Sequence, residues 1–178
     1  MLKINSQKLY ESDKVISYEK AIALIAGFKS KNKKVGLCHG GFDLLHPGHV
    51  RHLESAKRLC DVLFVSVTSD RFVSMRKGAG RPVYTDKVRA YMIANLKPVD
   101  YVVISDFETA IDVLKQLRPD YYVKGPDYIN SKIEAITAER EAVAFVGGKI
   151  KYTNDPKLAT TAIIDYIKSK IQSNNESK

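Results

Sequence analysis

Apolar positions along the chain alternate between short continuous runs and longer stretches of helical spacing. From Tyr18, the residues Ala21, Ile22, Ile25, Ala26 and Phe28 recur every three or four positions, which predicts an amphipathic helix with Ser17 as its N-cap. Residues 35–39 read as a first strand, and a helix follows from Gly48 to Leu59. The run Val62-Leu63-Phe64-Val65-Ser66-Val67 is apolar on both alternating faces, as a parallel strand buried on both sides must be. A polar loop is expected over 68–84, then a Thr85-capped helix to about Leu96. Residues 101–104 give a third strand, 110–117 a helix closed by Pro119, and 121–124 a fourth strand. A helix over about 132–145 ends at Gly147-Gly148, before a fifth strand over 149–153. Thr160 caps a last helix carrying Ile163, Ile164, Ile167 and Ile171. Strands alternating with helices predict an α/β fold: a parallel sheet with right-handed crossovers. The domain spans 18–172, after an arm at 1–17 without clear period and before a disordered tail at 173–178.

Composition narrows the class. The chain has 178 residues, enough for one domain with a real core, and 44% hydrophobic and 28% charged residues are ordinary for a soluble globular protein. No apolar run reaches the length of a membrane span and no signal-peptide core opens the chain, so a cytoplasmic protein without a membrane partner is expected. Cys38 and Cys60 form neither a metal-type pair nor a disulfide framework. The formal net charge of +9 suits polyanions in general, from nucleotides and sugar phosphates to nucleic acid. Aromatic residues do not interleave with the basic ones, and no nucleic-acid-binding motif is present, so nucleic acid is not the expected partner.

The candidate chemistry sits after the first strand, in Gly40-Gly41-Phe42-Asp43-Leu44-Leu45-His46-Pro47-Gly48-His49. Two glycines let the backbone approach a ligand, and Pro47 suits the first turn of a helix. A helix N-terminus has unpaired N–H groups and a partial positive charge, and both favour phosphate. His46 and His49 stand together at that end. The bland alternative is a strand–turn–helix with two capping histidines.

The stretch Gly-Phe-Asp-Leu-Leu-His-Pro-Gly-His resembles the signature of the cytidylyltransferase-like nucleotidylyltransferases. That group includes glycerol-3-phosphate and choline-phosphate cytidylyltransferases, pantetheine-phosphate adenylyltransferase and the adenylyltransferase domain of ADP-heptose synthase. The resemblance covers about residues 33–170. It implies a Rossmann-like five-stranded sheet of order 3-2-1-4-5, with the site at the switch point between the first and fourth strands. It also implies in-line attack of a phosphate oxygen on the α-phosphorus of a nucleoside triphosphate, with release of pyrophosphate. His46 and His49 would steady the phosphates, and Gly41, Phe42, Asp43 and Gly48 would hold the nucleotide.

Further residues follow from the same resemblance. Lys57, two turns beyond His49 on roughly the same face, resembles the Ala-Lys position of the choline-phosphate branch; it is equally readable as a surface lysine. Arg76, Lys77 and Arg81 lie in a basic glycine loop where relatives hold phosphate, and Arg89 resembles the family arginine that meets the nucleotide. Val123-Lys124-Gly125-Pro126-Asp127-Tyr128 is similar to the Val-Lys-Gly-Gly-Asp-Tyr of the heptose enzymes. There Lys124 would meet the nucleotide, Gly125 would let the backbone read a base edge, and Asp127 would accept from a ribose or an exocyclic amine. Thr160 and Thr161 resemble the end of a Ser-Thr-Thr phosphate element, with Ala159 in place of its serine; an N-cap at Thr160 is the alternative. An arginine of the glycerol-3-phosphate branch is absent from the sequence around Thr153-Asn154-Asp155-Pro156.

The implied activity is transfer of AMP or CMP from ATP or CTP to a phosphorylated sugar or polyol, of heptose-phosphate or glycerol-phosphate type. The Lys-Gly-x-Asp-Tyr loop leans to ATP. Mg²⁺ would arrive with the triphosphate and needs no acidic cage. Many relatives are homodimers, and the arm could reach a partner. A catalytically silent nucleotide sensor is the competing reading, motivated by Ala159.

Overall fold

The computed structural model describes residues 10–131, 133–156 and 160–176. Five parallel strands form one sheet: β1 (Val35–Gly40), β2 (Val62–Thr68), β3 (Tyr101–Ser105), β4 (Tyr121–Lys124) and β5 (Lys149–Tyr152). Their order is β3-β2-β1-β4-β5, as the resemblance implied. The helices are α1 (Tyr18–Ser30), α2 (Pro47–Lys57), α3 (Asp70–Lys77), α4 (Asp86–Ala94), α5 (Ala110–Leu117), α6 (Glu134–Phe145) and α7 (Thr160–Glu176). No described helix is long and apolar enough to cross a membrane.

Alternation within β2 divides the core. Val62 and Phe64 pack with Ala21 and Ile25 of α1, Val113, Leu114 and Leu117 of α5, and Ala142 and Val143 of α6. Leu63, Val65 and Val67 face the other layer, with Leu53 and Ala56 of α2 and Ala90, Ile93 and Ala94 of α4. Burying each such Leu, Val or Phe stabilises the fold by about 1.5–3 kcal/mol. Gly36 of β1 gives room to Cys60, since a Cβ there would lie 2.6 Å from Cys60 Sγ and force that side chain aside.

Carboxylates line the rim where the strands begin. Asp61, Asp100 and Asp120 accept from the backbone N–H groups of Lys34, Leu63 and Val35 at 2.7, 2.7 and 2.9 Å. The opposite rim, at the carboxyl ends of β1 and β4, carries the signature loop and the loop after β4.

Some boundaries differ from the sequence reading. The expected loop over 68–84 contains α3, whose sequence Asp-Arg-Phe-Val-Ser-Met-Arg-Lys has only Val73 buried, so no apolar stripe announces it. α7 runs to Glu176, into the stretch expected to be a disordered tail, while 177–178 lie outside the described residues. Of the arm, 1–9 lie outside the described residues. Its last residues are held: Val15 bridges Val102 of β3, Val102 N–H donates to Lys14 C=O at 2.8 Å, and Lys14 Nζ donates to Val99 C=O at 2.8 Å.

Candidate active site

β1 delivers the chain to the rim, and the loop before α2 then turns through two left-handed non-glycine residues, Phe42 (φ 43°) and Leu44 (φ 69°). Backbone in that region costs about 1–3 kcal/mol per residue and persists only where its surroundings enforce it. Asp43, between them, does much of the enforcing. Its side chain is fully buried; it pairs closely with Arg81, accepts from Val83 N–H at 2.7 Å and lies 3.8 Å from Lys77 Nζ. The Asp43 carbonyl accepts from Thr160 Oγ1 at 3.0 Å, which ties the start of α7 to the loop. From beneath, the fully buried Arg89 donates to Gly41 C=O, to Tyr84 C=O at 3.1 Å and to Asp70 Oδ1 at 2.7 Å.

The loop presents two stacked imidazoles. The His46 and His49 rings lie 3.8 Å apart at 17°, and Phe42 meets His49 edge-on at 5.2 Å. His46 caps α2: its Nδ1 accepts from His49 N–H at 3.4 Å, which leaves the proton of a neutral ring on Nε2 as a donor. His49 Nδ1 is buried with no hydrogen-bond partner among the described residues. Burial pushes the His49 ring down to about 3, helped by His46, Lys77 and His52 and opposed by Asp43. Burial also lowers His46. His39, in β1, is likewise pushed down to about 3 by burial, with Arg76 and Lys124 adding to it. Its nitrogens face Ser66 Oγ at 3.2 Å and Thr68 Oγ1 at 3.4 Å.

These neutral rings make stability depend on pH. Unfolded, His39 and His49 take up protons near pH 6.5; folded, they stay neutral down to about pH 3. The unfolded chain therefore binds more protons across that window. Their contribution is complete above pH 6.5, falls as pH drops and is gone below about pH 3, with a slope of about 1.4 kcal/mol per pH unit for each ring. The urea midpoint should fall between pH 7 and pH 5, before most carboxylates titrate. An unchanged midpoint would contradict neutral buried rings.

Across from the imidazoles lies the loop after β4. Lys124 pairs closely with Glu139 of α6, Tyr122 Oη donates to the same carboxylate oxygen at 3.2 Å, and Lys124 Nζ sits 4.1 Å above the Tyr128 ring. Burial lowers the Lys124 ammonium, and Glu139 opposes that shift. Arg140 pins the loop by donating to Tyr128 C=O at 2.6 Å and Ser131 C=O at 2.8 Å. A Cβ on Gly125 would meet nothing within 4 Å, so the space beside this backbone is open.

Gly41, Phe42, Asp43, His46, Gly48, His49, Lys77, Lys124, Gly125 and Asp127 all line one cleft of about 340 Å³. The remaining candidates do not line it. Lys57 sits on the carboxylate rim at the far end of α2, its Nζ 2.6 Å from Asp61 C=O and 2.5 Å from Asp100 Oδ2. The eight residues from His49 to Lys57 return to roughly the same helix face but carry the side chain about 12 Å along the axis. Arg81 and Arg89, expected on the triphosphate, are instead committed to Asp43 and to the backbone beneath the loop. Arg76 reaches Thr68 Oγ1 at 3.4 Å outside the cleft, Thr160 is spent on the Asp43 carbonyl, and Thr161 is exposed. Ala159 lies outside the described residues.

Sequence reading missed His39, His52, Thr153 and Asp155, which also line the cleft, and Glu139 behind Lys124. His52 had a signal, since it repeats the three-residue interval from His46 to His49. Among the described residues, no group of three or more His, Cys, Asp or Glu is placed to hold a metal ion.

Comparison with known proteins places these observations. The cytidylyltransferase-like family profile matches residues 37–174. The chain is 41% identical over 138 residues to the bifunctional protein HldE of Caulobacter sp. (strain K31), covering 78% of this chain and 28% of that protein. It is 38% identical over 167 residues to HldE of Campylobacter fetus subsp. fetus (strain 82-40), covering 93% of this chain and 34% of that one. The chain thus spans about a third or less of the length of these curated relatives. Among solved structures, a lipopolysaccharide core biosynthesis protein from Thermoplasma volcanium GSS1 is similar, with TM-score 0.56 and 24% identity over 71% of this chain and 99% of that one. A pantoate-beta-alanine ligase from Francisella tularensis shares the fold at TM-score 0.55 and 13% identity, over 83% of this chain and 69% of that one.

Proposed function

Because the chain belongs to the cytidylyltransferase-like family and is a nucleotidyltransferase, we propose that it transfers the adenylyl group of ATP to the phosphate of a heptose-type sugar, releasing pyrophosphate. The observation that carries the reading is the stacked His46–His49 pair at the tip of α2, lining one cleft with the Lys124–Tyr128 loop. The likeness to HldE proteins and the Lys124-Gly125-Pro126-Asp127-Tyr128 loop favour a heptose phosphate and ATP. The missing arginine near Thr153 speaks against a glycerol phosphate.

In this mechanism an oxygen of the sugar phosphate attacks the α-phosphorus. The bond from that phosphorus to the bridging oxygen breaks on the opposite side, and pyrophosphate leaves with the bond's electrons. The chain supplies position and charge rather than a nucleophile. His46 Nε2–H donates to a phosphate oxygen. The Gly48 N–H, in the first turn of α2, has no intrahelical acceptor and faces the same negative charge. Lys77 brings a cation to the cleft wall, and Asp43 holds it there. Phosphate charge beside the two imidazoles offsets the burial that keeps them neutral, so they can gain a proton as charge builds. Mg²⁺, carried in on the triphosphate with most of its waters, would neutralise the leaving pyrophosphate. The donor set fits an ion delivered in this way, since Asp43 is already committed to Arg81 and Val83.

Pyrophosphate release over a matrix of ATP, CTP, GTP and UTP against heptose phosphates and glycerol phosphate tests the proposal. ATP with a heptose phosphate should give the highest kcat/KM. Nucleotide binding without turnover for any pair would sink it.

A further inference from the structure

Helix α2 brings a third imidazole to the cleft, after His46 and His49. His52 follows His49 by one turn of α2, and its Nδ1 lies 2.9 Å from Thr153 Oγ1 in the loop after β5. Beside it, Asp155 accepts from Ser55 Oγ at 2.8 Å through Oδ1, while its Oδ2 is buried with no partner among the described residues. The proposed chemistry uses neither side chain. A buried carboxylate oxygen without a donor is costly, and one at a cleft wall calls for a donor from the ligand.

Position suggests which part of the ligand supplies it. From His46 to His52 is six residues, about 9 Å along the helix axis and away from its anion-binding tip. Nucleotide phosphates at the tip therefore leave an uncharged, hydrogen-bonding group at the depth of His52. β4 and β5 are neighbours, with Lys124 opposite Tyr152, so the loops that follow them wall this end on two sides. The Gly125 side of that space is open, and Tyr128 supplies an aromatic face. In a nucleotide the uncharged, hydrogen-bonding group farthest from the phosphates is the base.

The geometry points to Asp155, positioned by Ser55 and flanked by His52 and Thr153, as the group that selects nucleotides whose base carries an amine at purine C6 or pyrimidine C4, adenine or cytosine, over guanine or uracil, which carry a keto oxygen there. This rests on the nucleotidyl-transfer reading, because it takes the phosphate end of the ligand to lie at His46 and His49. An amine donates to the carboxylate. A keto oxygen at the same place would set two acceptors against each other and leave the buried oxygen unsatisfied.

The test is equilibrium binding of Mg²⁺-ATP, -CTP, -GTP and -UTP, which needs no turnover. The wild type should bind ATP or CTP at least about 30-fold more tightly than GTP and UTP. Asp155→Asn turns an acceptor into a group that also donates. It should weaken ATP and CTP about 10-fold and tighten GTP and UTP, bringing the ratio near one. A merely structural role would lower all four together. Ser55→Ala keeps the carboxylate but frees it, and should cut the ratio several-fold even if D155N does not fold. Equal binding of the four nucleotides by the wild type, or unchanged ratios in both variants, overturns the assignment. Selective binding without pyrophosphate release leaves it standing and removes the transferase proposal instead.

Discussion

His49→Ala should lower the rate of pyrophosphate release by about 10³-fold, the scale of removing one preorganised donor from a developing phosphate charge. The ring is stacked on His46 and edge-on to Phe42, so its loss also frees the partner imidazole to turn. Nucleotide affinity should change much less than kcat, because the Gly48 amide and Lys77 still meet the ground-state phosphates. Single-turnover rates alongside equilibrium nucleotide binding separate the two effects. A loss of less than about 10-fold in kcat, or an equal loss in affinity and rate, would move the chemistry away from this corner.

Arg89→Met should have the largest effect on folding. The guanidinium is fully buried and answers three acceptors: Gly41 C=O, Tyr84 C=O and the Asp70 carboxylate. Methionine fills much of the volume but strands all three. Breaking such a pair from one side costs about 3–5 kcal/mol. At roughly 2–4 °C per kcal/mol for a domain of this size, the unfolding midpoint should fall by about 6–20 °C. Adding Asp70→Asn should recover part of the loss, since the stranded charge is then gone. A midpoint within about 2 °C of the wild type would show that Arg89 is held for the nucleotide rather than for the loop.

Arg89 also illustrates where sequence reading stops. Strand positions were legible because β2 is apolar on both faces, which only a central parallel strand tolerates. The signature loop was legible because glycine, proline and two histidines at fixed spacing have few other uses together. The destination of a long cationic side chain was not. Arg81, Arg89 and Lys57 each fit a phosphate ligand on paper, yet each pairs with a carboxylate more than fifteen residues away in sequence. Such pairs are fixed by tertiary contact and leave no periodic trace. α3 escaped for a related reason: one buried valine in eight residues is too little for an apolar stripe. Asp155 was passed over because its partner, Ser55, lies a hundred residues earlier.

The two margins of the sheet are treated differently. At β3 the segment before α1 lies alongside as a short extra rung, with Val15 opposite Val102, and occupies backbone groups that would otherwise face outward. At β5 the strand is only four residues long, and its exposed positions are Lys149 and Lys151. One border is occupied by the molecule's own chain; the other is brief and positively charged. Both are recognised ways of denying a foreign strand a template, so neither border offers the long, flat, uncharged edge on which strands of separate molecules pair.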